Sequence, residues 1–279
     1  MNKIPDSIPC RLCGAQADFL FSKPLMWEVE AKYFCCQNCK SLQSEQPTWL
    51  DRAYSSVTLA SDISTLRRVA AAQRIVFWLS KIFKFERTDR ILDWGGGNGM
   101  LVRHLRDLGL DAYVLDEYVK NAYAIGFDHK AGMDYRMITA FEVWEHFSQP
   151  DKDLDDLFKL KPEFIVITTG LYNGQGKEWE YVNPCGRHVF CYSEEGRQFV
   201  ASKYGYQALV KGGFTLFSKK TLTFWQRLSI RFLFSPRIES LREALYDHLP
   251  KDRSLIEHDR KEARNVIYGQ GIIDGANWP

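Results

Sequence analysis

The 279-residue sequence predicts an α/β chain: a sheet with helices on both faces, a small cysteine module ahead of it and a helical tail behind it. Three observations carry that expectation. Short apolar runs alternate with helical stretches between residues 90 and 218, one of those runs passes directly into a glycine-rich turn, and two C-x-x-C pairs precede them all. Four segments follow: a metal-binding module over 1–49, a connector and helix over 50–89, the main domain over 90–220, and a C-terminal extension over 221–279.

Length and charge narrow the function. A chain of this size can bury a full core, so one large domain with an appendage is expected. The net charge of +2 is small for a protein whose main partner is nucleic acid, because phosphate binding leaves a basic excess. No apolar run approaches the length of a membrane span, and the first residues lack the apolar segment of a signal peptide, so a cytoplasmic location is expected. Seven cysteines in that compartment serve as thiols or metal ligands rather than as a disulfide framework.

In the first segment Cys10-x-x-Cys13 and Cys36-x-x-Cys39 are separated by 22 residues, a spacing that lets four thiolates close tetrahedrally on one zinc ion. Cysteine at all four positions leaves no open coordination site, which makes the zinc structural. Cys35 is a spare thiol that could replace Cys36 in a shifted register. The stretch from Asp18 to Glu30 has room for only a couple of short strands, so metal binding supplies much of the module's stability.

The connector contains Tyr54-Ser55-Ser56 and leads to a helix from about Asp62, its N-cap, to about Phe83. Strand 90–94, helix 99–108, strand 111–115, strand 135–141, helix 151–160 and strand 163–169 follow. Helix 193–203 and a hairpin of 206–211 with 213–218, turning at Gly212-Gly213, end the domain. The segment from Val119 to Asp134 is short for a helix and strand and lacks the third strand, so no residue is assigned to an adenine ring.

Strand 90–94 runs into Asp93-Trp94-Gly95-Gly96-Gly97-Asn98-Gly99. Glycines permit tight or left-handed backbone and remove the Cβ atoms that would hold a ligand off the main chain. A dinucleotide fingerprint G-x-G-x-x-G counted from Gly95 fails at Met100; the spacing here is acid-x-G-x-G-x-G. Twenty-one residues past Gly95 the second strand ends at Asp116, where an adenosine ribose would offer two hydroxyls, although NAD enzymes also carry an acid there. The candidate cofactor ligands are Asp93, Gly95, Gly97, Asn98, Gly99 and Asp116.

In open parallel sheets ligands sit beyond the carboxyl ends of the strands. After the fourth strand comes Thr139-Ala140-Phe141-Glu142-Val143-Trp144-Glu145-His146. After the fifth comes a long loop through Trp179-Glu180-Tyr181 to Gly186-Arg187-His188, and long loops at that edge carry function. His146 and His188 are the histidines there that can act as a base near neutral pH. Cys185 and Cys191 lack C-x-x-C partners and are read as fillers.

The acid-x-G-x-G-x-G run resembles motif I of class I S-adenosylmethionine-dependent methyltransferases, whose sheet is Rossmann-like. That resemblance implies S-adenosylmethionine as cofactor, with the glycine loop under its methionine part and Asp93 helping to hold it. The segment from Ala140 to His146 is similar to the "AFEVLEH" of many small-molecule methyltransferases, which puts Phe141 and Glu142 at the methionine end and Glu145-His146 beside the substrate. Over roughly residues 10 to 215 the chain resembles C-methyltransferases of bacterial deoxysugar pathways. Those proteins combine a four-cysteine zinc domain, a Tyr-Ser-Ser connector, the glycine motif and an "EHFSYFS" segment. By position His188 takes the role of the family's base, Tyr54 falls on the substrate side, and Arg187 stands where the family has an acid. An arginine there suits a substrate phosphate or carboxylate.

The expected activity is methyl transfer to a small polar metabolite, a nucleotide-linked sugar or glycan precursor. His188, Glu145, His146 and Tyr54 are the catalytic candidates, and Arg187 and Tyr181 the substrate-binding ones. One alternative is an RNA or protein methyltransferase that grips its substrate with the zinc module; near-neutral charge and the lack of an Asn-Pro-Pro-Tyr type motif after the fourth strand count against it. Another is a non-catalytic scaffold, which would not need the glycine motif and Asp116. The tail is read as helical and broken by Pro236 and Pro250. Its part from Lys219 to Arg237 carries five basic residues and no acid, with Phe224, Trp225, Leu228 and Phe232 at helical spacing. It suits packing against the main domain or a second subunit, or peripheral contact with an anionic membrane over 219–237.

Overall fold

The computed structural model describes residues 5–55, 64–235, 244–246, 255, 256, 258, 259, 261 and 262. Four strands open the chain: β1 (Ser7–Pro9), β2 (Gln16–Pro24), β3 (Glu30–Cys36) and β4 (Leu42–Ser44). Helices α1 (Leu50–Ser55) and α2 (Thr65–Ile82) lead to β5 (Arg90–Trp94), α3 (Met100–Asp107), β6 (Asp111–Leu115) and β7 (Met137–Phe141). Then come α4 (Pro150–Phe158), β8 (Phe164–Thr168), β9 (Phe190–Cys191), α5 (Glu194–Tyr204), the hairpin β10 (Gln207–Lys211) and β11 (Phe214–Ser218), and α6 (Phe224–Leu233).

The strands form two sheets. One is antiparallel throughout, in the order β1-β2-β3-β4-β9. The other has the order β10-β11-β8-β7-β5-β6, with β5 parallel to both β6 and β7 and the hairpin antiparallel. This is the Rossmann-like mixed sheet expected from the alternation of elements. Element ends have local causes. Proline at the first position of α4 costs no hydrogen bond, because that N–H has no helical acceptor, so the helix begins at Pro150. The chain leaves that helical path at Lys161, whose φ is 50°. Ser193 caps α5 by accepting from Gly196 N at 2.8 Å, and Gly205, at φ 73°, closes it. Asp62, the expected cap of α2, lies outside the described residues. Between β6 and β7 there is no strand, only a single bridge from Val114 to Asp128.

The chain divides into two compact units, Met1–Asp62 with Ala140–Lys220, and Ile63–Thr139 with Thr221–Pro279. In the first, the N-terminal sheet is longer than the sequence suggests: β2 runs nine residues, with a bulge between Phe19 and Phe21. The unpredicted strand β9 comes from far along the chain and pairs with β4, Leu42 opposite Cys191. A core of Leu25, Ala31, Tyr33, Leu42, Trp49, Val182 and Val189 fills the space under this sheet.

In the second unit α2 packs on α3 and on α6. Arg106 is buried and holds the C-terminal segment. It donates to both carboxylate oxygens of Asp259, at 2.7 and 2.9 Å, and to Asp111 at 2.7 Å, with its guanidinium 3.5 Å from the centre of the Phe127 ring. Helix α6 starts with a capping box between Thr223 and Gln226 and buries Ile230, not the four residues that the spacing singled out. Phe224, Trp225, Leu228 and Phe232 are exposed. Pro236 and Pro250 lie outside the described residues. Among those that are described, no helix is long and apolar enough to cross a membrane.

Removing one member of a buried ion pair costs up to about 3–5 kcal/mol, less where a second partner remains, as Asp111 does for Arg106. Asp259→Ala is therefore expected to lower the unfolding free energy by about 2 kcal/mol in urea titrations, with the midpoint moved and the slope unchanged.

Candidate active site

In the second unit β5 ends at Asp93 and Trp94 and the chain turns through the glycines. Gly95 N donates to Leu115 O at 2.7 Å, fastening the turn to the end of β6. Gly95, Gly97 and Gly99 have φ of 70°, 57° and 81°, values that favour glycine. Gly96 has an ordinary φ but no space: a Cβ there would lie 2.5 Å from Asp93 Oδ2 and 2.9 Å from Val114 Cγ2. At Gly97 a Cβ would meet nothing within 4 Å, so the backbone is bare on that side, as a cofactor cradle needs.

The two acids of the cradle have different surroundings. Asp93 is buried and accepts from Thr139 Oγ1 at 2.7 Å. Burial, with help from Asp116, pushes its carboxyl up to about 7. Asp116 accepts from Gly97 N at 2.8 Å, and from Tyr118 N and Val119 N at 2.9 and 2.8 Å. It thus ties the glycine turn to the loop after β6. Asn98 stiffens the same turn: its carbonyl accepts from Ala122 N and Tyr123 N, and its side chain from Met100 N.

In the first unit the residues after β7 gather around a buried carboxylate. Phe141 and Glu142 are half-buried, and Glu142 has φ 54°, a left-handed backbone that is uncommon away from glycine and concentrates at functional sites. Glu145 is fully buried in a short 3-10 helix, Trp144–His146. Tyr181 donates its hydroxyl to Glu145 Oε1 at 2.6 Å, and the same hydroxyl lies 2.9 Å from Thr169 Oγ1. Burial, and then Glu145, hold the Tyr181 phenol far above its ordinary range.

His146 Nδ1 lies 3.1 Å from Arg187 O and His188 Nδ1 lies 2.7 Å from Tyr181 O. A carbonyl can only accept, so both rings carry their proton on Nδ1 and present Nε2 as a lone pair. Burial lowers the pKa of each, keeping the rings neutral. The two rings are 5.0 Å apart, and Tyr181 lies 4.4 Å from that of His188. Tyr54 sits 6.3 Å from the His146 ring, and the Arg187 guanidinium 5.4 Å from the Tyr54 ring, with Arg187 Nε donating to Ala53 O. His188 also lines a cleft of about 560 Å³ with Glu178, Trp179, Glu180 and Tyr181. Every catalytic and substrate-side candidate therefore stands in one neighbourhood. Thr169 belongs to it as well, and nothing in the sequence singled it out.

The four cysteines converge. Their sulfurs all lie within 4.8 Å of one another, Cys10 to Cys39 at 3.7 Å and Cys13 to Cys36 at 3.5 Å. A tetrahedral zinc with bonds of about 2.3 Å sets its sulfurs about 3.8 Å apart, so these residues fit it, and Cys10, Cys13, Cys36 and Cys39 would hold it. The Cys39 thiol is drawn down to about 5, first by its hydrogen bond with Cys10. Cys35 points elsewhere, toward Lys40 O at 3.8 Å.

The module also grips the segment that carries Arg187 and His188. Met26 N donates to Pro184 O at 2.9 Å, Ser44 N to Val189 O at 2.9 Å, and Arg11 Nη2 to Val189 O at 2.7 Å. Trp49 Nε1 reaches Gly186 O at 2.8 Å, and only glycine fits there, since a Cβ would lie 2.7 Å from that nitrogen.

Residues 66–210, more than half of the chain, match a protein family described as methyltransferase domain. The chain belongs to that family. Among curated proteins none matches it. Among solved structures it is similar to CalO1, a methyltransferase in calicheamicin biosynthesis, at 14% identity and a TM-score of 0.43, over 60% of this chain and 59% of that one. Human N-acetylserotonin methyltransferase aligns at 14% identity and 0.36, over 62% and 66%. The plantazolicin methyltransferase BamL aligns at 15% and 0.46, over 75% and 90%. The chain thus spans less than two thirds of the first two.

Two measurements probe this geometry. Purified protein is expected to hold one zinc per chain, and Cys39→Ser to lose it; stripping the zinc should speed hydrogen exchange at the Met26 and Ser44 amides, because the module that carries these donors loosens. The second concerns pH. The folded-state value of Asp93, about 7, lies above its ordinary 3.8, so the folded protein keeps a proton that the unfolded chain has released. Stability of the cofactor-free protein is therefore expected to fall as pH rises from about 4 to 7, and Asp93→Asn to flatten that slope.

Proposed function

We propose that the protein transfers a methyl group from S-adenosylmethionine to a small polar metabolite, a nucleotide-linked sugar or glycan precursor, with His188 as the base. The observation that carries this reading is the pair of neutral imidazoles, each oriented by a backbone carbonyl, beside a buried glutamate. Family membership over 66–210 and the bare glycine turn support the donor half. When bound, S-adenosylmethionine supplies a methyl group on a sulfonium, electrophilic enough to need only an aligned nucleophile.

The chain's residues do the rest. Gly95, Gly97, Asn98 and Gly99 receive the methionine part, Asp116 the ribose, and Asp93, with Phe141 and Glu142, borders the methionine end. His188 Nε2 accepts the proton of the acceptor atom; its neutral state at working pH is what a general base requires. Glu145, through Tyr181, fixes the ring that lies tilted against His188. Arg187 and Tyr54 recognise the acceptor, the guanidinium taking a phosphate or carboxylate. The zinc stays structural, and the acceptor is a small molecule rather than nucleic acid.

Calorimetric titration with S-adenosylhomocysteine tests the reading. Micromolar binding, absent for NAD and weakened in Asp116→Ala, is expected; no binding overturns it. His188→Ala should keep that affinity and lose turnover on a panel of sugar nucleotides, whereas a scaffold would show no turnover to lose.

A further inference from the structure

We propose that Glu145, His146 and His188 form a divalent-cation site distinct from the four-cysteine one. One carboxylate oxygen and one nitrogen of each ring all lie within 4.8 Å of one another. Since each Nδ1 is spent on a carbonyl, the ligating atoms are the Nε2 lone pairs, and among the described residues neither Nε2 has a hydrogen-bond partner. Metal-binding histidines are held in this way, the far N–H fixed by a carbonyl so that tautomer and ring orientation are set before the ion arrives.

The second, independent observation is at Glu145. The residue is fully buried; Tyr181 satisfies Oε1, yet Oε2 is buried with no partner. A buried carboxylate oxygen without a donor is costly, and a cation bound by that carboxylate removes the cost. Two imidazoles and one carboxylate suit a first-row divalent ion and leave coordination positions open, unlike the closed, softer thiolate set. The cleft beside His188 gives access, and exposed Glu178 and Glu180 on its rim draw a cation in.

The inference rests on the methyl-transfer reading for its chemical consequence, and there it changes the acceptor. A hydroxyl oxygen bound at an open position has its pKa lowered and gives its proton to water. Its lone pair then forms the new O–C bond to the methyl group while the C–S bond breaks, its electron pair staying on sulfur to leave the neutral thioether. In the cation-loaded protein the acceptor is a hydroxyl and His188 Nε2 a ligand; His188 acts as the base where no cation is bound.

The test is equilibrium dialysis of the zinc-loaded protein against Mn²⁺ and against Co²⁺, with metal analysis and with S-adenosylhomocysteine calorimetry on the same samples. One ion per chain beyond the zinc is expected in the wild type. Affinity should fall about tenfold or more in Glu145→Gln, His146→Ala and His188→Ala, all of which should retain zinc and melt cooperatively. Glu145→Gln keeps the buried volume, so it reports on the site even where a histidine variant unfolds. If the wild type takes up neither ion at millimolar concentration, or if Glu145→Gln binds as the wild type does, the site is overturned. Homocysteine-product binding without cation uptake leaves methyl transfer with His188 as base; cation uptake without product binding keeps the site and overturns the donor assignment.

Discussion

The stretch from Pro184 to Cys191 makes no regular structure beyond two residues, and the positions of Arg187 and His188 depend on its being held. The N-terminal module holds it. Backbone donors from Met26 and Ser44, the Arg11 guanidinium and the Trp49 indole all end on its carbonyls, and β4 pairs with its last two residues. A loop satisfied by its neighbour's hydrogen bonds has nowhere else to direct its backbone polar groups without cost. The four-cysteine cluster shapes the knuckle from which Arg11 projects and so bears on the position of His188. The Cys39 carbonyl also accepts from Ser193, the cap of α5.

Buried polar groups do the remaining positioning, each through several partners at once. Arg197 is fully buried and donates to the carbonyls of Thr169, Gly170, Gly212 and Gly213 and to Thr215 Oγ1. It fastens the turn of the β10–β11 hairpin to the start of the loop that carries Tyr181. At Gly170 a Cβ would lie 2.7 Å from the Tyr181 ring, so chain and ring are as close as glycine allows. From there the path runs through the Tyr181 hydroxyl to Glu145, and through its ring to His188. Networks of this kind specify one arrangement because every alternative leaves a buried group unpaired.

The glycine turn, both of its acids and the four converging cysteines were legible because their signals are local. A strand, a turn and a helix start are adjacent in sequence, and C-x-x-C fits one knuckle. The order of β5, α3, β6, β7, α4 and β8 was legible for the same reason, since each element shows its own periodicity. Strand β9 was not: two residues have no period, and its pairing spans from Leu42 to Cys191. Which residue α6 buries was not legible on similar grounds, because spacing identifies an apolar stripe but not the neighbour, here α2, that decides it.

Residue types carried the chemistry available to this chain: thiolates for a soft ion, bare glycine backbone for a polar cofactor, and imidazoles and carboxylates for proton or cation work. Which of those groups meet, and in what state, came from packing. No spacing rule ties Glu145 to Tyr181 or gives each histidine a carbonyl for its Nδ1 proton, because those partners are up to 41 residues away and their contacts follow from how the loops fold over buried surface. Local propensity reads neighbours along the chain, whereas burial and hydrogen-bond satisfaction are properties of the whole folded unit.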